Sequence, residues 1–203
     1  MSETPEQLPV AVDTTGGDLG ISVQVEGAVD AYKTYGIKST LVGPKEDLES
    51  LISKFGAQNL PLEIEHAPDT IEMDESPVRA VRKKPNSSLC VAYRLVDEGK
   101  ASSIISAGNT GAMMAAGRFI CGLHVGIERP AIATLIPCAG GVKRNIILDA
   151  GANVDCHVHH LLQFALMGSI YYTSLFGTEK PRVGLLSNGS EESKGNDLVR
   201  ATA

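Results

Sequence analysis

A chain of 203 residues, 43% hydrophobic and 21% charged, is long enough to bury one sizeable core. Its net charge of -6, with no basic run and no interleaving of aromatic and basic residues, argues against nucleic acid as a partner; an acidic protein that handles an anion must focus positive charge locally. Cys90, Cys121, Cys138 and Cys156 show no CxxC spacing, no signal peptide precedes the first strand-like run, and no apolar run reaches membrane-spanning length, which points to free thiols in a reducing cytoplasm.

Residues 1–7 form a polar tail, and 8–13 (LPVAVD) reads as a strand leading into the loop TTGGDLG. A helix is expected over 20–35, closed by Gly36 as its C-cap, then a strand over 39–43. Pro44 opens a helix to residue 55 with Glu46 and Asp47 in its first turn, and a strand follows over 62–67. Ser76 and Pro77 sit where an N-cap and first helical residue belong, predicting a helix within 73–85; Ser87 and Ser88 cap the next helix, which runs to Gly99. A buried strand from Ile104 runs through a glycine turn into an apolar helix over 110–121, expected to lie behind the sheet. Strands over 131–137 and 145–150 flank CAGGVKR, which reads as a turn between neighbours. A helix from about residue 157 to 176, interrupted by Gln163, Gly168, Ser169 and Thr173, reads as core. A strand over 182–187 and a helix from Asp197 complete the order, with the chain stopping inside that last element. Near-continuous apolar strands alternating with helices predict an α/β fold, a mostly parallel sheet with helices on both faces, in one domain over 8–203.

Four strands end in the same kind of loop: VAVDTTGGD, IISAGNTG, IILDAGANVD and VGLLSNGSEESKG. Each sets Asp, Asn, Ser or Thr among glycines at the carboxyl end of a strand, where open α/β sheets bind ligands. Any one loop is explained by a well-made turn with a capping side chain; four at one sheet edge suggest one polar crevice. Asp13 and Asp18, flanking Gly16 and Gly17, either orient neighbouring loops or serve as turn and cap. Asn109 and Thr110 either donate to an acyl or phosphate oxygen or cap a helix, with Ser106, Gly108 and Gly111 beside them. Asp149, Gly151, Asn153 and Asp155 form a dense polar loop, and Lys194, with Asn188, Ser193 and Gly195, is the best candidate for a cation facing an anion. GxGxxG, GxxxxGK[ST] and GxSxG motifs are all absent. CHVHH (156–160) invites a metal reading, but with no second ligand cluster in the sequence it reads as a helix-start surface patch, so no metal or cofactor is expected. Cys138 has no flanking base and reads as a small buried residue.

The segments AVDTTGGD, EMDESPVRAVRKKPNSS, SAGNTGAMMAAG, RPAIATLIP, LDAGANVDC, QFALMGSIYY and RVGLLSNGSEESKGN together resemble the signature segments of the bacterial phosphate acyltransferase (PlsX) family, in that family's order and nearly end to end. The resemblance implies a three-layer α/β/α fold similar to phosphotransacetylases and isocitrate-dehydrogenase-like enzymes. It implies transfer of a long-chain acyl group from acyl carrier protein to inorganic phosphate, giving acyl phosphate for phospholipid synthesis. It also implies a cytoplasmic homodimer that associates peripherally with membrane. Two stretches depart from the pattern: DTTGGDLGIS stands where the family has DAMGGD and then proline, and CHVHH stands where Lys, Pro and Glu usually precede the final histidine, so that only His160 matches. Family members continue well past residue 203, which implies that this chain is a fragment.

The chemistry fits these residues. A thiol with a pKa of roughly 8.5 leaves a thioester without strong acid help, and phosphate is already a nucleophile at neutral pH. No Ser–His or Cys–His device is needed; positioning and charge management are. The expected roles are Lys194 and the glycine turns for phosphate, Asn109, Thr110 or Asn153 as oxyanion donors, and Asp149 and Asp155 to orient them.

Overall fold

The structure is a computed structural model that describes residues 7–138, 144–189, 191 and 194–203. Its contacts group into two compact units, Met1–Gly122 and Leu123–Ala203, where the sequence suggests one domain. No Pro-, Gly- or Ser-rich linker marks the junction, so composition carries no sign of it.

The first unit holds β1 (Val10–Asp13), α1 (Ile21–Tyr35), β2 (Ser39–Gly43), α2 (Lys45–Lys54), β3 (Leu62–His66), α3 (Pro77–Lys83), α4 (Ser88–Asp97), β4 (Ser103–Ser106) and α5 (Thr110–Ala116), which continues as a π-helical turn over Gly117–Cys121. The four strands form one parallel sheet in the order β3-β2-β1-β4. Period-2 alternation sorts the core. Val12 and Leu41 face α1 and α2, meeting Val25, Val29, Leu48 and Ile52. Ala11 and Val42 face the other way, meeting Val91, Ala92 and Leu95 of α4. Helices therefore cover both faces, as the continuous apolar strands require.

Local signals act as the sequence reading expects at several ends. Gly36 closes α1 in the left-handed conformation with φ 70°, and Pro77 opens α3. Ser87 caps α4 by accepting from the Cys90 N–H, whereas Ser76 stands at the α3 N-cap without a side-chain bond. α5 is buried among helices rather than behind the sheet. Ala112, Ala115 and Ala116 pack with Ala80 and Val81 of α3 and with Leu89 and Cys90 of α4.

The second unit holds β5 (Ala133–Pro137) and β6 (Arg144–Leu148), an antiparallel pair, then α6 (Val158–Phe176) and α7 (Asp197–Thr202). Two expectations fail here. No strand forms over 182–187: Val183 and Leu186 are 59% and 84% exposed, and that segment pairs with no strand among the described residues. α6 is not core. Only His160 and Phe164 are buried, while Leu162, Leu166 and Ile170, four residues apart on one stripe, are 55 to 62% exposed. Among the described residues no helix is long and apolar enough to cross a membrane.

Candidate functional site

Chain order places the first candidate. From β1 the chain moves outward to β2 and β3, then returns past β1 to β4. The direction of winding reverses between β1 and β4, so their carboxyl-end loops diverge at the position where open α/β sheets hold ligands. Asp13 and Ser106 end these two strands and stand opposite each other in register.

Asp13 is 2% exposed, and both its oxygens are occupied. Oδ1 accepts from the Ser88 hydroxyl at 2.5 Å and Oδ2 from the Ser106 hydroxyl at 2.6 Å. A hydroxyl has one hydrogen, so the remaining directions follow. Ser88 must accept from Thr15, whose hydroxyl is 2.6 Å away, and Ser106 accepts from the Gly108 N–H at 3.1 Å. One carboxylate thus ties the Thr15 loop, the start of α4 and the Gly108 loop together. Thr14, fully buried, donates to the Val42 carbonyl at 2.8 Å and locks the same turn to β2. Both Asp13 oxygens thus face hydroxyls of the protein itself.

Glycines close the two loops on each other. A Cβ on Gly16 would lie 2.6 Å from Asp13 Oδ2 and 2.8 Å from the Gly108 nitrogen. Gly17, with φ 94°, lies against Ala107 in the same way. Gly111 makes room for Pro77, so α5 can approach the start of α3. Asn109 is both cap and anchor. Its Oδ1 accepts from the Ala112 N–H at 3.0 Å, and its amide donates to the Met73 and Glu75 carbonyls at 3.1 Å each. Both amide hydrogens are therefore engaged. Thr110, the next residue, is exposed, and its hydroxyl makes no hydrogen bond among the described residues. Asp18 is exposed too and does not cap α1, whose N-cap is Gly20.

In the second unit Asp149 organises the loop after β6. Its Oδ1 accepts from the Ile132 and Ala152 N–H groups at 2.9 and 3.1 Å, and its Oδ2 accepts from the Asn153 N–H at 2.7 Å and side-chain amide at 3.0 Å. The other Asn153 amide hydrogen goes to the Pro130 carbonyl at 2.9 Å, so Asn153, like Asn109, has its donors committed. Gly151 takes the positive φ of this turn at 110°. Asp155 is exposed, and its carbonyl accepts from Arg129 at 2.7 Å.

Partial burial pushes the Asp149 carboxyl up, but the converging N–H groups outweigh it and the net shift is downward. A depressed folded-state value means that the stabilisation is complete above the unfolded carboxyl value of about 3.9 and disappears as pH falls through the folded one. Asp149→Ala should cost about 2 kcal/mol at neutral pH through the orphaned N–H groups. Urea unfolding curves of the two proteins should converge below about pH 4. A gap that stays constant down to pH 2 would show that the carboxylate does not act through these bonds.

In the fourth loop Asn188 Oδ1 accepts from the Gly195 N–H at 2.9 Å, and Gly195 has φ 90°. Lys194 is exposed, and its ammonium group has no hydrogen-bond or ion-pair partner among the described residues. Ser193 lies outside the described residues. The structure thus brings together the loops after β1 and β4, and places the other two loops in the second unit, where no hydrogen bond among the described residues joins them. Ser88 was missed by the sequence reading, which took it as a helix cap; its partner is 75 residues away, beyond any local spacing signal. Cys138 is half-buried rather than buried.

Comparison with known proteins bears on the chain as a whole. The family model described as "Fatty acid synthesis protein" matches residues 8–203. The chain is 49% identical over 195 residues to the phosphate acyltransferase of Geobacter sulfurreducens, and 47% identical to those of Syntrophotalea carbinolica and Desulforamulus reducens. In each case 96% of this chain is covered, and it spans only 56 to 58% of the relative's length. Among solved structures it resembles a phosphotransacetylase from Streptococcus pyogenes, with TM-score 0.61 and 19% identity over 86% of this chain and 56% of that one. It also resembles the EutD phosphotransacetylase from Staphylococcus aureus, with TM-score 0.64 and 20% identity over 93% and 60%. At these identities the structural likeness carries the α/β fold alone.

Proposed function

The chain belongs to the fatty acid synthesis protein family, and from that premise we propose that it serves in a phosphate acyltransferase, moving a long-chain acyl group from the thioester of acyl carrier protein to inorganic phosphate. The observation that carries this reading is the 47 to 49% identity to phosphate acyltransferases over nearly the whole chain. A phosphate oxygen attacks the thioester carbonyl, the new C–O bond forms, and the C–S bond breaks as the carrier thiolate departs. Acyl phosphate then enters phospholipid synthesis. In this reading the protein is cytoplasmic, homodimeric and peripheral to the membrane.

The geometry supports particular roles. Asn109 and Asn153 spend their amide hydrogens on backbone carbonyls and on Asp149, so they shape loops. Among the described residues the Thr110 hydroxyl and the Lys194 ammonium have no hydrogen-bond or ion-pair partner, which leaves the first to donate and the second to meet a phosphate. Asp13 and Asp149 hold loops rather than substrate.

The test is release of free carrier thiol from palmitoyl-acyl carrier protein, with and without phosphate. The chain as it stands and a full-length relative are assayed together, each with lysine replaced by alanine at the position of Lys194. Phosphate-dependent release that falls at least about tenfold in the variants supports the reading. Release from acyl-CoA but not from acyl carrier protein would replace it with a phosphotransacetylase. A burst of thiol before phosphate is added would replace direct attack with an acyl-enzyme.

A further inference from the structure

We propose that Glu128, His159 and His160 form a binding site for a divalent transition-metal ion of the zinc type. The Glu128 carboxylate oxygen Oε2 lies 3.1 Å from His159 Nε2 and 3.3 Å from His160 Nε2. All three ligand atoms lie within 4.8 Å of one another. Ligand atoms at about 2.0–2.1 Å around a tetrahedral zinc ion are separated by roughly 3.3 Å. The two measured separations already match, so a cation needs only a small outward movement of the three groups. His160 is 2% exposed and anchored in the first turn of α6, which makes it the fixed member; Glu128 and His159 are exposed and can adjust.

The donor set selects the ion. Two imidazole nitrogens and one carboxylate oxygen suit zinc, cobalt, nickel or copper. Calcium and magnesium favour all-oxygen shells. Three protein ligands leave the solvent side of the ion to water, consistent with the exposure of Glu128 and His159.

Two features oppose the ion and limit its affinity. His160 Nδ1 accepts from the His157 N–H at 3.0 Å, so in the metal-free protein the ring's proton sits on Nε2, pointing at Glu128. A metal takes the place of that proton. The ring must then carry its hydrogen on Nδ1 and give up the bond to His157, which weakens the site. Arg129 also lies close enough to His160 to disfavour added positive charge, although its guanidinium is bonded to the Asp155 carbonyl. With Glu128 as the one carboxylate in the set, the site is expected to bind zinc in the micromolar range.

Zinc chloride titrated into the 203-residue protein against a chromophoric chelator tests this. One equivalent should bind, and Glu128→Gln and His159→Asn should each weaken it by at least about tenfold. Both side chains are exposed, so the variants should keep the parent's far-UV spectrum. Cys156→Ser should bind like the parent. Cobalt should give a four-coordinate visible spectrum without a sulfur charge-transfer band. Absence of zinc binding, binding that neither variant weakens, or a cobalt–sulfur band that vanishes in Cys156→Ser would each overturn the assignment.

Discussion

Asp13→Ala is expected to destabilise the Met1–Gly122 unit by about 3 kcal/mol. The carboxylate accepts two charge-assisted hydrogen bonds from hydroxyls, each contributing about 1.5–3 kcal/mol to stability. The loss is partly offset because a buried carboxylate, without an ion-pair partner among the described residues, no longer has to be desolvated. The variant takes from Ser88, itself 1% exposed, its carboxylate acceptor, leaving only the Thr15 hydroxyl to accept in its place, and removes the Asp13 bond to Ser106 that steadies the Gly108 loop. Ser88→Ala alone should cost about half as much, and the double variant should cost less than the sum, because both changes remove the same bond. Urea unfolding followed by far-UV circular dichroism measures all three. Asp18→Ala, on the exposed side of the same loop, is the reference and should lie within about 0.5 kcal/mol of the parent. If Asp13→Ala behaves like Asp18→Ala, the carboxylate does not hold these loops together.

Much of the fold is legible because its signals are local. Continuous apolar runs at β1 and β2, Gly36 after α1 and Pro77 before α3 each act through their immediate neighbours. The candidate site is legible only as residue types. Asn109 can be read as a cap from its place before α5, but its grip on the carbonyls of Met73 and Glu75 depends on residues more than 30 positions earlier. The same holds for Ser88 and Asp13, and for Glu128 meeting His159 and His160. Hydropathy says that α6 and residues 183–186 are apolar, but it does not say what covers them. Here α6 turns Leu162, Leu166 and Ile170 outward, and the segment near Leu185 pairs with no strand among the described residues. Burial is a property of the partner as much as of the residue.

Glycine, too, has two meanings that sequence alone does not separate: an opening for a ligand, or room for another loop. At Gly16 the second is decisive, and Gly16→Ala is expected to cost about 3 kcal/mol, the upper end for overpacking a rigid site. The added methyl would meet Asp13 Oδ2 at 2.6 Å and the Gly108 nitrogen at 2.8 Å, and neither can retreat. The first accepts from the Ser106 hydroxyl while the other oxygen of its carboxylate is held by Ser88, and the second is backbone donating to Ser106. Relief requires separating the β1 and β4 loops, which would also move Thr110, so a residue far from any reacting atom should lower turnover if the proposed transferase site includes that hydroxyl. Gly27→Ala supplies the opposite sign. Gly27 lies exposed within α1, with open space where its Cβ would be, so alanine there should stabilise by about 0.5–1 kcal/mol through helix propensity. Thermal unfolding of the two variants beside the parent gives the comparison. A Gly16→Ala protein as stable as the parent would mean that the two loops separate at little cost, and that the opening between them is available to a ligand after all.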